Sequence, residues 1–237
     1  MFTEYRPPEF NTPGGWALML KSDPFYKLKL AFDPRLKIIQ RYLKGSLLDA
    51  GCGRGEWANF LSYRGYESTG LDYSAEMVEF NRTKFPRCKF EVGKIQHMPF
   101  ENDTFQSLIS WGVIEHDEAG PAAALQEFYR ILKIGGRGMI TVPIDSRAQR
   151  EASQNEFGSE GAFFQYFFTQ KELADEMNAV GFKIIDSGFC SRPHPNLIWP
   201  NKYVNAGKVQ KRALQALASI KDQTYGNMIH VIVEKNS

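Results

Sequence analysis

The amino-acid sequence predicts an α/β fold built around a mostly parallel sheet. Between residues 46 and 142, short apolar segments alternate with segments of helical periodicity. This alternation is typical of right-handed βαβ units. A glycine-rich turn at residues 49–55 (DAGCGRG) follows the first apolar segment and precedes a helical one. Because ligands bind outside the carboxyl ends of the strands in such sheets, we expect a binding site at this turn.

Each element is predicted from its local pattern. Strands are expected at residues 46–50, 67–71, 88–92, 106–111, 137–142, 182–187 and 228–234. Helices are expected at residues 55–64, 74–84, 121–132 and 169–180. Ser74 and Thr169 are typical N-caps, and Glu172 completes a capping box with Thr169. We also expect Phe80 to be buried and the glycine pair at 135–136 to stop the third helix.

The pattern indicates a single domain with two additions to its core. The predicted parts are an N-terminal helical extension at 1–45, a core at 46–187 and 228–237, and an insertion at 188–227. Within the extension, a helix is expected over residues 25–42, interrupted near Pro34. Residues 189–221 of the insertion contain six basic residues and no acid. This stretch either attracts an anionic acceptor or forms a solvated helix face.

The composition excludes several classes of protein. The 237 residues are 43% hydrophobic, and 29 basic against 27 acidic residues give a net charge of +2. This balance argues against nucleic acid or membrane as an obligate partner. The three cysteines fit neither a disulfide framework nor a zinc site. No signal-peptide pattern is present, and no apolar run reaches the roughly 18 residues of a membrane span. We therefore expect a cytoplasmic protein without a metal or stable membrane insertion.

The glycine turn and a later acid together suggest a nucleoside cofactor. Asp72 ends the second predicted strand, 19 residues after Gly53, where a carboxylate can accept hydrogen bonds from both ribose hydroxyls. A nicotinamide site expects a third glycine at the sixth position from Gly51, where this chain has Glu56. Asp49 instead suits a ligand with an ammonium group, such as S-adenosylmethionine. The alternatives are a plain tight turn for the glycines and a helix cap for Asp72.

Five segments in order resemble the class I S-adenosylmethionine-dependent methyltransferases, particularly their broad small-molecule group. They are residues 47–55 (LLDAGCGRG), 71–74 (LDYS), 98–105 (MPFENDTF), 113–116 (VIEH) and 129–136 (YRILKIGG). The resemblance extends from about residue 47 to 142 and recurs more weakly at 168–186. It implies a Rossmann-like seven-stranded sheet of order 3-2-1-4-5-7-6, with strand 7 antiparallel and helices on both faces.

The resemblance also implies S-adenosylmethionine as the cofactor and assigns residues to it. The implied contacts are Gly51, Cys52 and Gly53 to the methionyl and ribose portion, Asp49 near the amino group, Asp72 on the ribose, Tyr73 near the adenine, and Ser110 and Trp111 from the fourth strand. One position departs from the family pattern. Lys94 replaces the acid that accepts a hydrogen bond from the adenine amino group, and lysine has no acceptor. The backbone N–H of Ile95 and the side-chain oxygen of Gln96 remain available.

His116 is the best candidate for a general base, because the ordinary pKa of histidine lies near neutrality and because segment 113–116 follows the fourth predicted strand, at the edge where ligands bind. The alternative is that His116 only packs within its loop, and Glu115 is expected to be structural. The aromatic residues Phe163, Phe164, Tyr166, Phe167 and Phe168 either wall a pocket or fill the core.

Together these features favour methyl transfer to an oxygen or nitrogen atom of a small molecule, with anionic, sugar-linked and lipid-linked acceptors as candidates. A non-catalytic binder of S-adenosylmethionine is the main alternative, and a nicotinamide-dependent oxidoreductase is another. A nucleic-acid methyltransferase is disfavoured because no Asn-Pro-Pro-Tyr-type motif is present.

Overall fold

The computed structural model describes residues 1–6, 25–157, 161–190 and 228–236. Its helices are α1 (Tyr26–Ala31), α2 (Pro34–Tyr42), α3 (Glu56–Ser62), α4 (Ala75–Lys84), α5 (Ala122–Ile131), α6 (Arg147–Phe157) and α7 (Gln170–Val180), with a 3₁₀ turn at Ile114–His116. Its strands are β1 (Phe2–Arg6), β2 (Ser46–Ala50), β3 (Glu67–Asp72), β4 (Lys89–Val92), β5 (Phe105–Trp111), β6 (Leu132–Pro143), β7 (Ala162–Phe167), β8 (Phe182–Phe189) and β9 (Met228–Lys235). No described helix is both long and apolar enough to cross a membrane.

The central sheet has the strand order β4-β3-β2-β5-β6-β9-β8. Strands β2 to β6 pair in parallel, whereas β9 runs antiparallel to both β6 and β8. Counted without β1 and β7, this is the predicted order 3-2-1-4-5-7-6, and the prediction is confirmed. The order reverses between β2 and β5, and open α/β sheets bind their ligands in the crevice at such a reversal.

Successive residues of the central strands point to opposite faces of the sheet. Leu48 and Leu108 pack with α5 and α7, in one buried cluster. Leu47 and Ile109 pack with α1 to α4 in a second cluster. The nearly complete burial of β2, β3 and β5 is thus explained by helices covering both faces, as expected for a parallel sheet.

The predicted helix ends are confirmed where a capping side chain or a glycine determines them. Ser74 accepts a hydrogen bond from the N–H of Met77 at 3.3 Å. Thr169 and Glu172 form both bonds of the capping box, and Gly181 follows with φ of 103°. These contacts are local in sequence, so a local pattern can specify them.

Two local predictions are wrong. Phe80 is 40% exposed, with the Arg54 guanidinium 4.9 Å from its ring, so a cation covers the side chain instead of the core. Helix α5 ends at Ile131 and not at the glycine pair, because Leu132 is already extended and pairs with Phe105 of β5. Pairing with a distant strand therefore ends this helix.

The N-terminal extension contains a strand that its sequence did not indicate. Strand β1 pairs antiparallel with β7, beginning with Phe2 opposite Phe167. Most of the aromatic run is buried: Phe163, Phe164, Phe167 and Phe168 are each at most 9% exposed. These side chains therefore mainly fill the core. The basic residues of segment 189–221 lie outside the described residues.

Candidate functional site

The glycine turn after β2 is held between two neighbouring segments. The backbone N–H groups of Gly51 and Cys52 both donate to the carbonyl oxygen of Leu71 at 2.8 Å. Gly51 has a φ of 78°, and a Cβ on it would lie 2.6 Å from Cγ2 of Val113. A side chain at position 51 would therefore be strained by its backbone and would clash with the loop after β5.

Asp72 lies at the end of β3 beside this turn. One carboxylate oxygen accepts a hydrogen bond from the N–H of Gly53 at 2.8 Å, and the other accepts from the N–H of Ser74 at 3.0 Å. Burial raises the pKa of the carboxyl above its ordinary value, and the backbone bonds oppose this rise. Since each carboxylate oxygen can accept two hydrogen bonds, acceptor capacity remains for the two hydroxyls of a ribose.

Asp49 is fully buried at the carboxyl end of β2. Its Oδ2 accepts a hydrogen bond from the N–H of Ala58 at 3.2 Å, whereas Oδ1 has no partner among the described residues. Burial raises the pKa of this carboxyl to about 7, assisted by nearby Asp72 and opposed by Arg35. A buried acceptor without a partner is rare, and a cationic ligand group would satisfy it.

Arg35 brings a positive charge to the same corner. Its Nε and one Nη donate to the two carboxylate oxygens of Asp33 at 2.9 Å, which fixes the guanidinium plane. The guanidinium carbon lies 5.1 Å from the ring centre of Trp57 and 4.9 Å from that of Trp111. The indole Nε1 of Trp111 is buried without a partner among the described residues. This corner thus offers an acceptor, Asp49, to an ammonium group and two donors, Arg35 and Trp111, to a carboxylate of the same ligand.

Sequence reasoning missed Arg35. The available signal was the run Asp33-Pro34-Arg35, in which Asp33 caps α2 by accepting the N–H of Arg35 at 2.9 Å. This pattern predicts a helix start, but it does not predict that the start faces the end of β5.

Cys52 contributes its backbone to the turn, whereas its thiol faces inward. A Cβ on Gly70 would lie 2.8 Å from Sγ, and the Asn81 amide nitrogen lies 3.9 Å away. Burial raises the pKa of the thiol well above its ordinary value. The thiol therefore stays protonated and is no nucleophile. Ser110, another predicted contact, is also fully buried, and its hydroxyl has no partner among the described residues.

The segment after β4 starts next to Asp72. The N–H of Gly93 donates to the backbone oxygen of Asp72 at 3.0 Å, and a turn follows in which His97 N–H donates to the oxygen of Lys94 at 3.1 Å. Ile95 lies within this turn and is 8% exposed. Gln96 donates its side-chain amide to Asp117 at 2.8 Å. Tyr73, which directly follows Asp72 in sequence, is 44% exposed.

His116 is held in one orientation by the neighbouring strand β7. Its Nδ1 lies 2.8 Å from the carbonyl oxygen of Phe164, whose ring contacts the imidazole edge-to-face at 5.0 Å. Because a carbonyl only accepts, Nδ1 carries the proton, and Nε2 of the neutral ring is left as the basic nitrogen. Nε2 lies 4.0 Å from Oε1 of Glu115. Burial raises the pKa of the Glu115 carboxyl to about 8, so this neighbour is mostly neutral at pH 7.

Comparison with known proteins decides the family. Residues 25–187 match the model of the methyltransferase domain, which covers more than half of the chain and includes every predicted site residue. The chain belongs to the class I S-adenosylmethionine-dependent methyltransferases. This membership argues against the nicotinamide-dependent alternative.

The relatives of this methyltransferase have diverse names. A demethylmenaquinone methyltransferase of Chlorobaculum parvum is 30% identical over 131 residues, which are 55% of this chain and 54% of that protein. The probable tRNA methyltransferase 9B of Homo sapiens is 34% identical over 113 residues, or 46% of this chain and 24% of that protein. The chain spans about half the length of the first curated relatives it matches.

The fold of the methyltransferase also matches solved structures. An S-adenosylmethionine-dependent methyltransferase from Thermotoga maritima superposes with a TM-score of 0.62 at 20% identity, covering 90% of this chain and 92% of that chain. At this identity the likeness describes the fold, and the acceptor must be argued from the site itself.

The described residues fit the family's cofactor. S-adenosylmethionine carries a ribose, an ammonium group and a carboxylate. The carboxylate of Asp72 suits the ribose, the unsatisfied Oδ1 of Asp49 suits the ammonium, and the donors of Arg35 and Trp111 suit the carboxylate. All four residues lie at the carboxyl edge of the sheet or on α2, which packs beside it.

Proposed function

We propose that this methyltransferase transfers the methyl group of S-adenosylmethionine to an oxygen or nitrogen atom of a small-molecule acceptor. The observation that carries the cofactor part of this proposal is the unsatisfied carboxylate oxygen of Asp49, which is fully buried where the strand order reverses and lies near the Arg35 guanidinium. A buried charge persists when a partner of opposite sign compensates it. The ammonium of an amino-acid ligand is such a partner.

The bound cofactor supplies an already activated methyl group on a sulfonium, so the protein's own residues mainly hold and orient the cofactor and the acceptor. Asp72 and the N–H of Gly53 fix the turn against the ribose. Asp49, with Arg35 and Trp111, fixes the amino-acid end at the other side of the turn. Anchoring both ends restricts the sulfonium between them, which is the proximity effect that such a displacement requires.

We propose His116 as the residue that accepts a proton from the acceptor. Its Nδ1–H is committed to the oxygen of Phe164, which leaves Nε2 in the basic tautomer. His116 ends the 3₁₀ turn that follows β5, which places it at the edge of the sheet where the cofactor would bind. The neighbouring Glu115 carboxyl is mostly neutral at pH 7, because burial raises its pKa to about 8, so it places little negative charge beside Nε2.

A small-molecule acceptor, including an anionic, sugar-linked or lipid-linked one, is retained as the proposal. RNA is the competing acceptor class, because one relative bears the name of a tRNA methyltransferase. Transfer of labelled methyl groups to metabolite extracts and, separately, to bulk tRNA tests the acceptor class. Label recovered only in tRNA would overturn the small-molecule proposal.

The cofactor assignment is tested by calorimetry with S-adenosylhomocysteine. Asp72→Ala removes charge-assisted hydrogen bonds worth roughly 1.5–3 kcal/mol, so we expect affinity to fall by about 10- to 100-fold. The matched control is Asp175→Ala, which removes an exposed carboxylate on α7 that pairs with Lys171. Equal affinity in wild type and Asp72→Ala would contradict the assignment.

A further inference from the structure

One hydrogen bond joins two loops that leave distant strands of the sheet. The side-chain amide nitrogen of Gln96, after β4, donates to Oδ2 of Asp117, after β5, at 2.8 Å. Strands β3 and β2 lie between β4 and β5. At about 4.8 Å per strand, the two loops reach across roughly 14 Å of the sheet edge, which includes Asp72 and the glycine turn.

Both carboxylate oxygens of Asp117 accept hydrogen bonds. Its Oδ1 accepts a hydrogen bond from the N–H of Ala119 at 3.0 Å, and its Oδ2 accepts from Gln96. A carboxylate is only an acceptor, so it must face the NH₂ of the Gln96 amide and never its oxygen. Asp117 therefore determines which way this amide points. Among the described residues, no donor contacts the remaining amide oxygen, Oε1 of Gln96.

The position of Gln96 relates this oxygen to the adenine. The segment that contains Gln96 begins at Gly93, whose N–H is bonded to the backbone of Asp72, the residue proposed to hold the ribose. The adenine is attached to that ribose. Lys94, at the start of the turn, has no acceptor for the adenine amino group, and Ile95 is buried and apolar. Gln96 Oε1 is then the side-chain acceptor that this turn can offer.

We propose that Asp117 is a positioning residue that fixes Gln96 Oε1 as the acceptor for the adenine 6-amino group, and that it thereby selects a 6-aminopurine over a 6-oxopurine cofactor. This inference rests on the proposed cofactor site. The 6-amino group of adenine donates a hydrogen bond to Oε1. The 6-oxo group of hypoxanthine is an acceptor, so it meets Oε1 with like polarity and leaves both oxygens unsatisfied.

The first measurement compares two ligands on the wild-type protein. Calorimetry determines the dissociation constants of S-adenosylhomocysteine and of S-inosylhomocysteine, which differ at purine position 6. We expect the adenosyl ligand to bind roughly tenfold more tightly or better. Equal affinities would overturn the inference while leaving the cofactor site intact. If neither ligand binds, the proposed function itself is contradicted.

The decisive variant is Asp117→Asn. Of the two polar groups of the introduced amide, only the oxygen can accept the hydrogen bond that the Ala119 N–H donates to residue 117, so we expect the oxygen to keep that bond and the NH₂ to face Gln96. The Gln96 amide must then turn over, presenting its oxygen to residue 117 and its NH₂ to the purine. We expect the preference for the adenosyl ligand to disappear or reverse in favour of the inosyl ligand. A preference unchanged from wild type would show that Asp117 does not position the amide.

A double-mutant cycle separates positioning from a general structural effect. Gln96→Leu removes the amide, and we expect loss of the preference without any gain for the inosyl ligand. Once the amide is absent, Asp117→Asn should change neither affinity by more than about twofold. An Asp117→Asn effect that persists in the Gln96→Leu background would overturn the proposed route. Thermal melting of all variants establishes that each is folded before its affinities are compared.

Discussion

Asp49 should make cofactor affinity depend on pH. Burial raises the pKa of its carboxyl from the ordinary 3.8 to about 7 in the free protein, so the group is mostly protonated below pH 7. The proposed ammonium partner requires the ionised form. Binding below pH 7 must therefore expel a proton from Asp49, whereas binding well above pH 7 releases almost none.

The magnitude follows from that pKa. With a pKa near 7, about 0.9 of the Asp49 carboxyls are protonated at pH 6 and about 0.1 at pH 8. Binding of S-adenosylhomocysteine should then release about 0.9 proton at pH 6 and about 0.1 at pH 8. If the carboxyl is fully ionised in the complex, the dissociation constant should be about tenfold weaker at pH 6 than at pH 8.

Calorimetry in two buffers with different heats of ionisation measures the released protons directly. Asp49→Asn is the matched variant, because it keeps an acceptor of similar shape for the Ala58 N–H and removes the titration. It also isolates Asp49 from Glu115, whose carboxyl has a pKa of about 8. We expect this variant to bind more weakly at pH 8 and with little pH dependence. Proton release that survives in Asp49→Asn would refute the reasoning.

Three further predictions concern other parts of the site. Arg35→Lys should weaken S-adenosylhomocysteine binding roughly tenfold, because a lysine cannot reproduce the planar guanidinium that is fixed by Asp33 and stacked on the two indole rings. The affinity for 5′-methylthioadenosine, which lacks the amino acid, should stay within about twofold. Calorimetry with both ligands checks this, and equal losses would contradict it. His116→Gln should leave calorimetric cofactor affinity unchanged but slow transfer to an identified acceptor by about 10²- to 10⁴-fold, and an unchanged rate would reduce His116 to a packing role. Gly51→Ala should lower the free energy of unfolding by roughly 1–3 kcal/mol in denaturant titrations, because of its positive φ and the contact with Val113. Adding Val113→Ala should recover part of this loss, and a fully stable Gly51→Ala protein would show that the turn accepts a side chain.

Features that depend on neighbours in sequence can be predicted from the sequence alone. The capping box of Thr169 and Glu172 and the N-cap Ser74 require contacts over only three residues, so their side chains specify them locally. The glycine turn is similar, since its positive φ values select glycine.

Features that depend on distant contacts were missed or wrong. Phe80 has an apolar side chain at a helical position, yet its exposure is set by Arg54 and by what α4 packs against. Arg35 approaches Trp57 and Trp111 only because α2 packs against this end of the sheet. No periodicity in one segment reports which other segment it will face.

The sequence alone determined the strand order of the central sheet, the sharp turn after its first strand, and the presence of acids at two strand ends. These follow from short-range sterics and periodicity, which each segment carries with it. Only the tertiary structure decided which polar atoms share a surface: the cation of Arg35 beside Asp49, and the Gln96 amide oriented by Asp117. The members of these two pairs are 14 and 21 residues apart in sequence, and they interact only because folding brings them close together.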